Sequence, residues 1–165
     1  MAFLPLILNF ARMYTKEQAS QLRQAFWTTF GQYMSPIPSA EGGRVNWLNY
    51  NTGLKQVFFR MKADQKVASI GIELTQPDTE IQEIFFEQFT ALKLLLHEAM
   101  GEAWTWALHD QDENGKTVSR IYQQLPGVNV FNREDWPTLI SFLKPRLIAL
   151  DAFWADAQYS FESLK

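Results

Sequence analysis

The chain has two imidazoles, His97 and His109, and no thiol. His109 stands beside Asp110 and Asp112, a grouping that offers a general base or half of a weak metal site. The same residues are turn chemistry, because Asp and Asn side chains bond their own backbone, and the turn reading is the stronger one. His97 lies inside a helical run and reads as a packed or solvated residue. Asp110, Asp112 and Glu113 do not follow the ligand spacing of a calcium loop. Glu80, Glu83 and Glu87 fall on one helical edge and read as a solvated face. No P-loop, dinucleotide-binding loop or G-x-S-x-G elbow occurs. No nuclease-type Asp followed along the strands by a (D/E)-x-K triplet sits in a fitting strand context.

One constellation remains, and it comes from strand alternation. Arg60, Lys62 and Glu73 project opposite the apolar face of a first hairpin, with Phe58 beside them. If Asn114-Gly115 forms a two-residue turn in a second hairpin, His109 pairs with Arg120 and Ala107 with Tyr122. His109, Arg120 and Tyr122 then share a face turned away from Trp104, Trp106 and Leu108. A surface mixing Phe58, Arg60, Lys62, Glu73, His109, Arg120 and Tyr122 would suit an anionic or planar ligand through bidentate and stacking contacts. The competing reading is a structural ion network in which Arg60 or Arg120 pairs with Glu73 across the sheet.

Elements must position these residues, and composition bounds them. The 165 residues carry 15 Lys and Arg against 18 Asp and Glu, a net charge of −3, with 47% apolar types. That balance excludes a disordered chain. The missing cysteines exclude disulfide, iron–sulfur and cysteine-ligated zinc chemistry. No metal and no cofactor are expected. The run from Ala2 to Ala11 is uncharged but too short to span a bilayer, and it lacks a basic start. Met13 stands directly before a helix start, so residues 1–12 are read as an N-terminal extension, either non-native or a short segment packed on the domain, and residues 13–165 as a single α+β domain.

Thr15 and Gln18 have the capping-box form and open a helix with Leu22, Phe26, Phe30 and Tyr33 on one stripe. Val45 to Tyr50 is expected to be a strand. Val57, Phe59 and Met61, then Ala68, Ile70, Ile72 and Leu74, alternate with polar residues, and a pairing of Ala63 with Lys66 puts both sets on one face. Thr79 and Gln82 repeat the capping box before a helix with Ile81, Ile84, Phe85, Phe89, Leu92, Leu95, Leu96 and Ala99 on a broad apolar face. Gly101 is its C-cap. Trp104 to His109 and Thr117 to Leu125 form the second hairpin. A last helix runs from Arg133, with Pro145 expected to kink or divide it. The fold expected is α+β, with an antiparallel sheet of about five strands: two hairpins plus one strand. Helices lie before, between and after, packed mainly on one face.

Several stretches together resemble a bacterial domain-of-unknown-function family, number 4268, over essentially Met13 to Phe161. They are Phe26-Trp27 through Ser35-Pro36, Val45-Asn46-Trp47, Phe59-Arg60-Met61, Ile70 to Leu74, Trp104-Thr105-Trp106, Ser119-Arg120-Ile121-Tyr122 and Glu134-Asp135-Trp136-Pro137. The chain is similar to stand-alone members from Bacteroidetes-type bacteria; in other members a similar domain follows a restriction-endonuclease-like module. The resemblance implies one intracellular, cytoplasmic domain with no catalytic residues to carry over, and associates it with nucleic-acid metabolism.

The function expected is a non-catalytic binding or accessory module for a macromolecular partner, either protein or nucleic acid. A homodimer is open, and a membrane is not expected. The alternatives are direct nucleic-acid binding by the basic and aromatic sheet face, and a small hydrolase-type enzyme using His109 or Glu73 as acid–base group.

Overall fold

The computed structural model describes residues 14–165. The expectations for residues 1–12 and for Met13 as the start therefore lie outside the described residues. Helix α1 spans Lys16–Met34. Its start is a reciprocal cap: Thr15 Oγ1 accepts from the Gln18 N–H at 3.1 Å, and Gln18 Oε1 from the Thr15 N–H at 3.0 Å. Phe26, Phe30 and Met34 form its buried row. Tyr33 lies one residue off that row and is exposed rather than buried.

Val45 to Tyr50 does not form the expected strand. Trp47 Nε1 donates to the Ile37 carbonyl at 3.0 Å, and Tyr50 donates its hydroxyl to Asp151 at 2.5 Å. Asn46 Oδ1 accepts from the Asn49 N–H at 3.1 Å and turns the chain. The Asn46 bond is local and competes with extended pairing, while the bonds of Trp47 and Tyr50 tie the segment to other parts of the chain. The large rings here are anchors, and the alternation they create is not that of a strand.

The described residues form a four-stranded antiparallel sheet in the order β1-β2-β4-β3: β1 Val57–Ala63, β2 Val67–Leu74, β3 Thr105–Gln111 and β4 Thr117–Pro126. In the first hairpin Ala63 pairs with Ala68 rather than with Lys66. Asp64 Oδ1 accepts from the N–H groups of Lys66 and Val67, at 2.7 and 2.9 Å, and sets the turn one step further along. The register differs from expectation by two residues, so the faces stay as the alternation assigns them.

Between the hairpins the expected single helix is two, α2 Thr79–Ala91 and α3 Lys93–Met100, broken at Leu92 where φ is −99° and ψ is 11°. Asp78, not Thr79, caps α2 by accepting from the Glu80 and Ile81 N–H groups. Gln82 is thereby free to turn into the core. Ile81, Ile84 and Leu95 are exposed because the buried row is narrower than the sequence implies: Phe85, Phe89 and Leu96. Gly101 closes α3 at φ 69°, as expected. A 3₁₀ turn, Arg133–Asp135, leads into α4, Trp136–Ala157, which runs through Pro145 undivided.

Helices α2 and α4 pack on one sheet face. The core there joins Ile70, Ile72, Leu74 and Ile121 to Phe89, Trp154 and Phe161, whose rings lie 4.6–6.0 Å apart. Burying each such ring contributes about 2–3 kcal/mol. No described helix is long and apolar enough to cross a membrane.

Candidate functional site

The other sheet face carries the polar residues. Neighbouring strands place Phe58 beside Glu73 and Glu73 beside Arg120, then Arg60 beside Gly71 and Gly71 beside Tyr122. Lys62 pairs with Ser69 one step along. Six of the seven residues picked out by alternation therefore share one face: Phe58, Arg60, Lys62, Glu73, Arg120 and Tyr122. Gly71 is needed at their centre. A Cβ there would lie 2.6 Å from Tyr122 Cβ and 2.6 Å from the Ile121 carbonyl oxygen, so the tyrosine leans over a residue that has no side chain.

His109 is not among them. The loop at Asn114-Gly115 is longer than two residues: the Asp112 N–H donates to the Lys116 carbonyl at 2.9 Å, and the Gly115 N–H to the Asp112 carbonyl at 3.0 Å. Beyond it, Ala107 pairs with Arg120 and Asp110 with Val118, so Leu108 and His109 together oppose Ser119 in a β-bulge. His109 takes φ 50°. Its Nε2 donates to the Thr79 carbonyl at 3.0 Å, at the start of α2. The bulge is pinned from the core. Ser119 Oγ accepts from the His109 N–H at 3.0 Å and donates to Gln82 Oε1 at 2.6 Å. Gln82 Nε2 donates to the carbonyls of Gln76 and Thr117, both at 3.1 Å.

The extra residue brings Asp110 to Arg120, at 2.6 Å between Oδ2 and Nη2. This guanidinium, and then the Gln111 N–H that donates to Asp110 Oδ1, hold the Asp110 carboxyl below the usual range. Glu73 serves two cations, Lys62 Nζ at 3.1 Å and Arg60 Nε at 3.7 Å. The ion network weighed against a binding site is thus present, with one change: Arg120 pairs with Asp110 and not with Glu73. Stacking accompanies it. The Arg60 guanidinium lies 4.2 Å from the Phe58 ring centroid, and that of Arg120 lies 4.6 Å from Tyr122. The Arg120 Nε is buried with no hydrogen-bond partner among the described residues.

Two recesses open on this face. One, of about 480 Å³, is lined by Lys62, Ser69, Arg120 and Gln124 with Arg23, Asp112 and Glu113 at its sides. The other, of about 680 Å³, is lined by Phe58, Arg60 and Glu73 with Asp112 and Lys116. His109 lines neither. No group of three His, Cys, Asp or Glu among the described residues is placed to hold a metal ion. Asp110 and Asp112, which the sequence offered only as partners of His109 or as turn residues, belong to this face. The Asp-rich composition of the turn pointed to them, but their placement depends on the bulge.

No curated protein and no solved structure matches the chain. The family model described as Domain of unknown function (DUF4268) matches residues 22–158. That span holds both hairpins, the three helices from α2 to α4 and most of α1, and the chain belongs to this family.

Proposed function

We propose that the chain is a non-catalytic binding module that engages a protein partner through the polar face of its sheet. The observation that carries this reading is the pair of arginines laid over aromatic rings, Arg60 on Phe58 and Arg120 on Tyr122, on the face opposite the helical layer. Stacked arginines are partly preorganised, and Arg and Tyr are the residues that anchor protein interfaces. The three cations Arg60, Lys62 and Arg120 are answered by the carboxylates Glu73 and Asp110. A surface of mixed sign fits a protein of mixed sign better than a phosphate backbone. Acid–base chemistry gains no support here, since Glu73 is held by two cations and the His109 ring nitrogen by a carbonyl.

Affinity isolation from cells that express the protein, with the wild type beside an Arg60→Ala/Arg120→Ala variant of unchanged melting temperature, tests this. A protein retained after nuclease treatment and lost from the variant is the expected result. An association abolished by nuclease would transfer the face to nucleic acid. A partner held equally by the variant would contradict the site.

A further inference from the structure

The sheet has two edges, β1 and β3, and only β3 is broken by a bulge. Edge strands present unpaired backbone groups, and proteins blunt them with bulges, irregularity or covering segments. Strand β3 carries the Leu108–His109 bulge. Strand β1 pairs with β2 in unbroken register from Val57 to Ala63 and has neither bulge nor proline.

Its bonding direction follows from its ends. The Gln56 carbonyl accepts from Thr75 at 2.9 Å, and the Asp64 N–H donates to Val67 at 3.0 Å, so even-numbered residues bond toward β2. By alternation Val57, Phe59 and Met61 turn their N–H and C=O groups outward. The Val57 carbonyl is taken by Thr52 Oγ1 at 2.8 Å. Among the described residues, nothing takes the outward groups of Phe59 and Met61. Beside them lies a recess of about 330 Å³ lined by Trp27, Leu48 and Tyr50. On the polar face of the same strand, the side chains of Arg60 and Lys62 are 47% and 45% exposed and share the single carboxylate of Glu73, which leaves one positive charge over.

We propose that the outer edge of β1 accepts an extended acidic segment of the protein partner as a fifth strand. This rests on the reading of the chain as a protein-binding module and names what the partner presents. Main-chain bonds to Phe59 and Met61 supply the pairing. Carboxylates on alternate residues of the segment meet Arg60 and Lys62, and the residues between them enter the recess beside Trp27 and Leu48. A second copy is a poor occupant, because antiparallel self-pairing of β1 sets Arg60 and Lys62 against like charges. Residues 1–12 of the chain contain no carboxylate.

The probe is a fluorescent peptide, Thr-Glu-Val-Glu-Val-Glu-Thr, titrated by anisotropy against the full chain. The added strand pairs antiparallel to β1, with the valines opposite Phe59 and Met61 on the inner face, so the valine amides bond to β1 and the glutamate amides point away. N-methylating the valine amides is therefore expected to weaken binding about tenfold or more, whereas N-methylating the glutamate amides leaves it nearly unchanged. Replacing Glu by Lys should weaken it by a similar factor. Met61→Pro removes one outward N–H while sparing the inner ladder, as edge strands tolerate, and should also weaken binding. Equal affinity of the two N-methylated peptides, or no saturable binding up to about 1 mM, would overturn the proposal, as would self-association of the chain through β1. If the peptide fails while the Arg60→Ala/Arg120→Ala variant still loses a nuclease-resistant protein, the edge is wrong and the binding face stands. If no protein is lost either, the functional reading falls with it.

Discussion

Arg146 reaches from α4 to Glu102 through two contacts, 2.7 Å from Nε and 3.1 Å from Nη2. Trp104 Nε1 adds a third bond at 3.1 Å. The guanidinium is the main cause that holds the Glu102 carboxyl below its usual value, against a smaller opposing effect of burial. A carboxyl lowered in the folded state binds protons more weakly there than in the unfolded chain. Its contribution is thus present at neutral pH and lost as pH falls through the ordinary carboxylate range toward the lowered value. Glu102→Gln is expected to cost about 1 kcal/mol at pH 7. The melting temperatures of variant and wild type should converge in acid, and a gap that stays constant from neutral to acid pH would show that the pair does not act this way. At this scale the polar face was largely legible. Arg60, Lys62 and Glu73 alternate with residues too apolar to face water, and Arg120 and Tyr122 flank Ile121, so the register difference of two residues, being even, left them on the expected side. The exchange of His109 for Asp110 was not legible, because a bulge leaves no periodic trace and its cause, Ser119 bonded to Gln82, lies 37 positions apart in sequence.

The segment between α1 and β1 shows the same division for a whole element. Asp151 on α4 is almost fully buried and accepts from Ser39 Oγ at 3.1 Å, the Ala40 N–H at 2.7 Å and the Tyr50 hydroxyl at 2.5 Å. Burial first, and then the Asp151 carboxylate, push the Tyr50 phenol far above its usual value, which keeps it a donor at any physiological pH. These three bonds tie residues 39–50 to α4, and Tyr50 stacks on Phe59 of β1 at 4.7 Å. The segment that replaced the expected strand therefore forms one wall of the recess along β1. Asp151→Ala strands partly buried donors and is expected to cost about 2–3 kcal/mol. Proteolytic cleavage within residues 39–50 should appear in the variant before the sheet unfolds. A variant that melts as the wild type does and resists the protease equally would show the tie to be incidental. Alternation in Val45 to Tyr50 suggested pairing, but the carboxylate that claims Tyr50 is supplied 101 residues away, beyond the reach of any local pattern.

For the molecule as a whole, two hairpins with apolar inner faces specify an antiparallel sheet, and amphipathic helices before, between and after them specify its cover. That much follows from period and turn chemistry, and the order β1-β2-β4-β3 brings the two hairpins together side by side. Their apposition is a tertiary fact, and it is what gathers Arg60 and Glu73 from one hairpin with Arg120 and Tyr122 from the other. The fold thus spends one face of the sheet on its core and leaves the other with stacked arginines, two ion clusters and two recesses. The central claim is that a protein partner sits on this face and not on the helical layer. It is tested most directly by placing a photo-crosslinking benzoylphenylalanine at Tyr122 and, in a second protein, at Leu94 on α3, which is 85% exposed. After irradiation in cells that express the protein, the account predicts a discrete protein adduct from position 122 and none from position 94. An adduct from position 94 alone, or the same adduct from both, would contradict it.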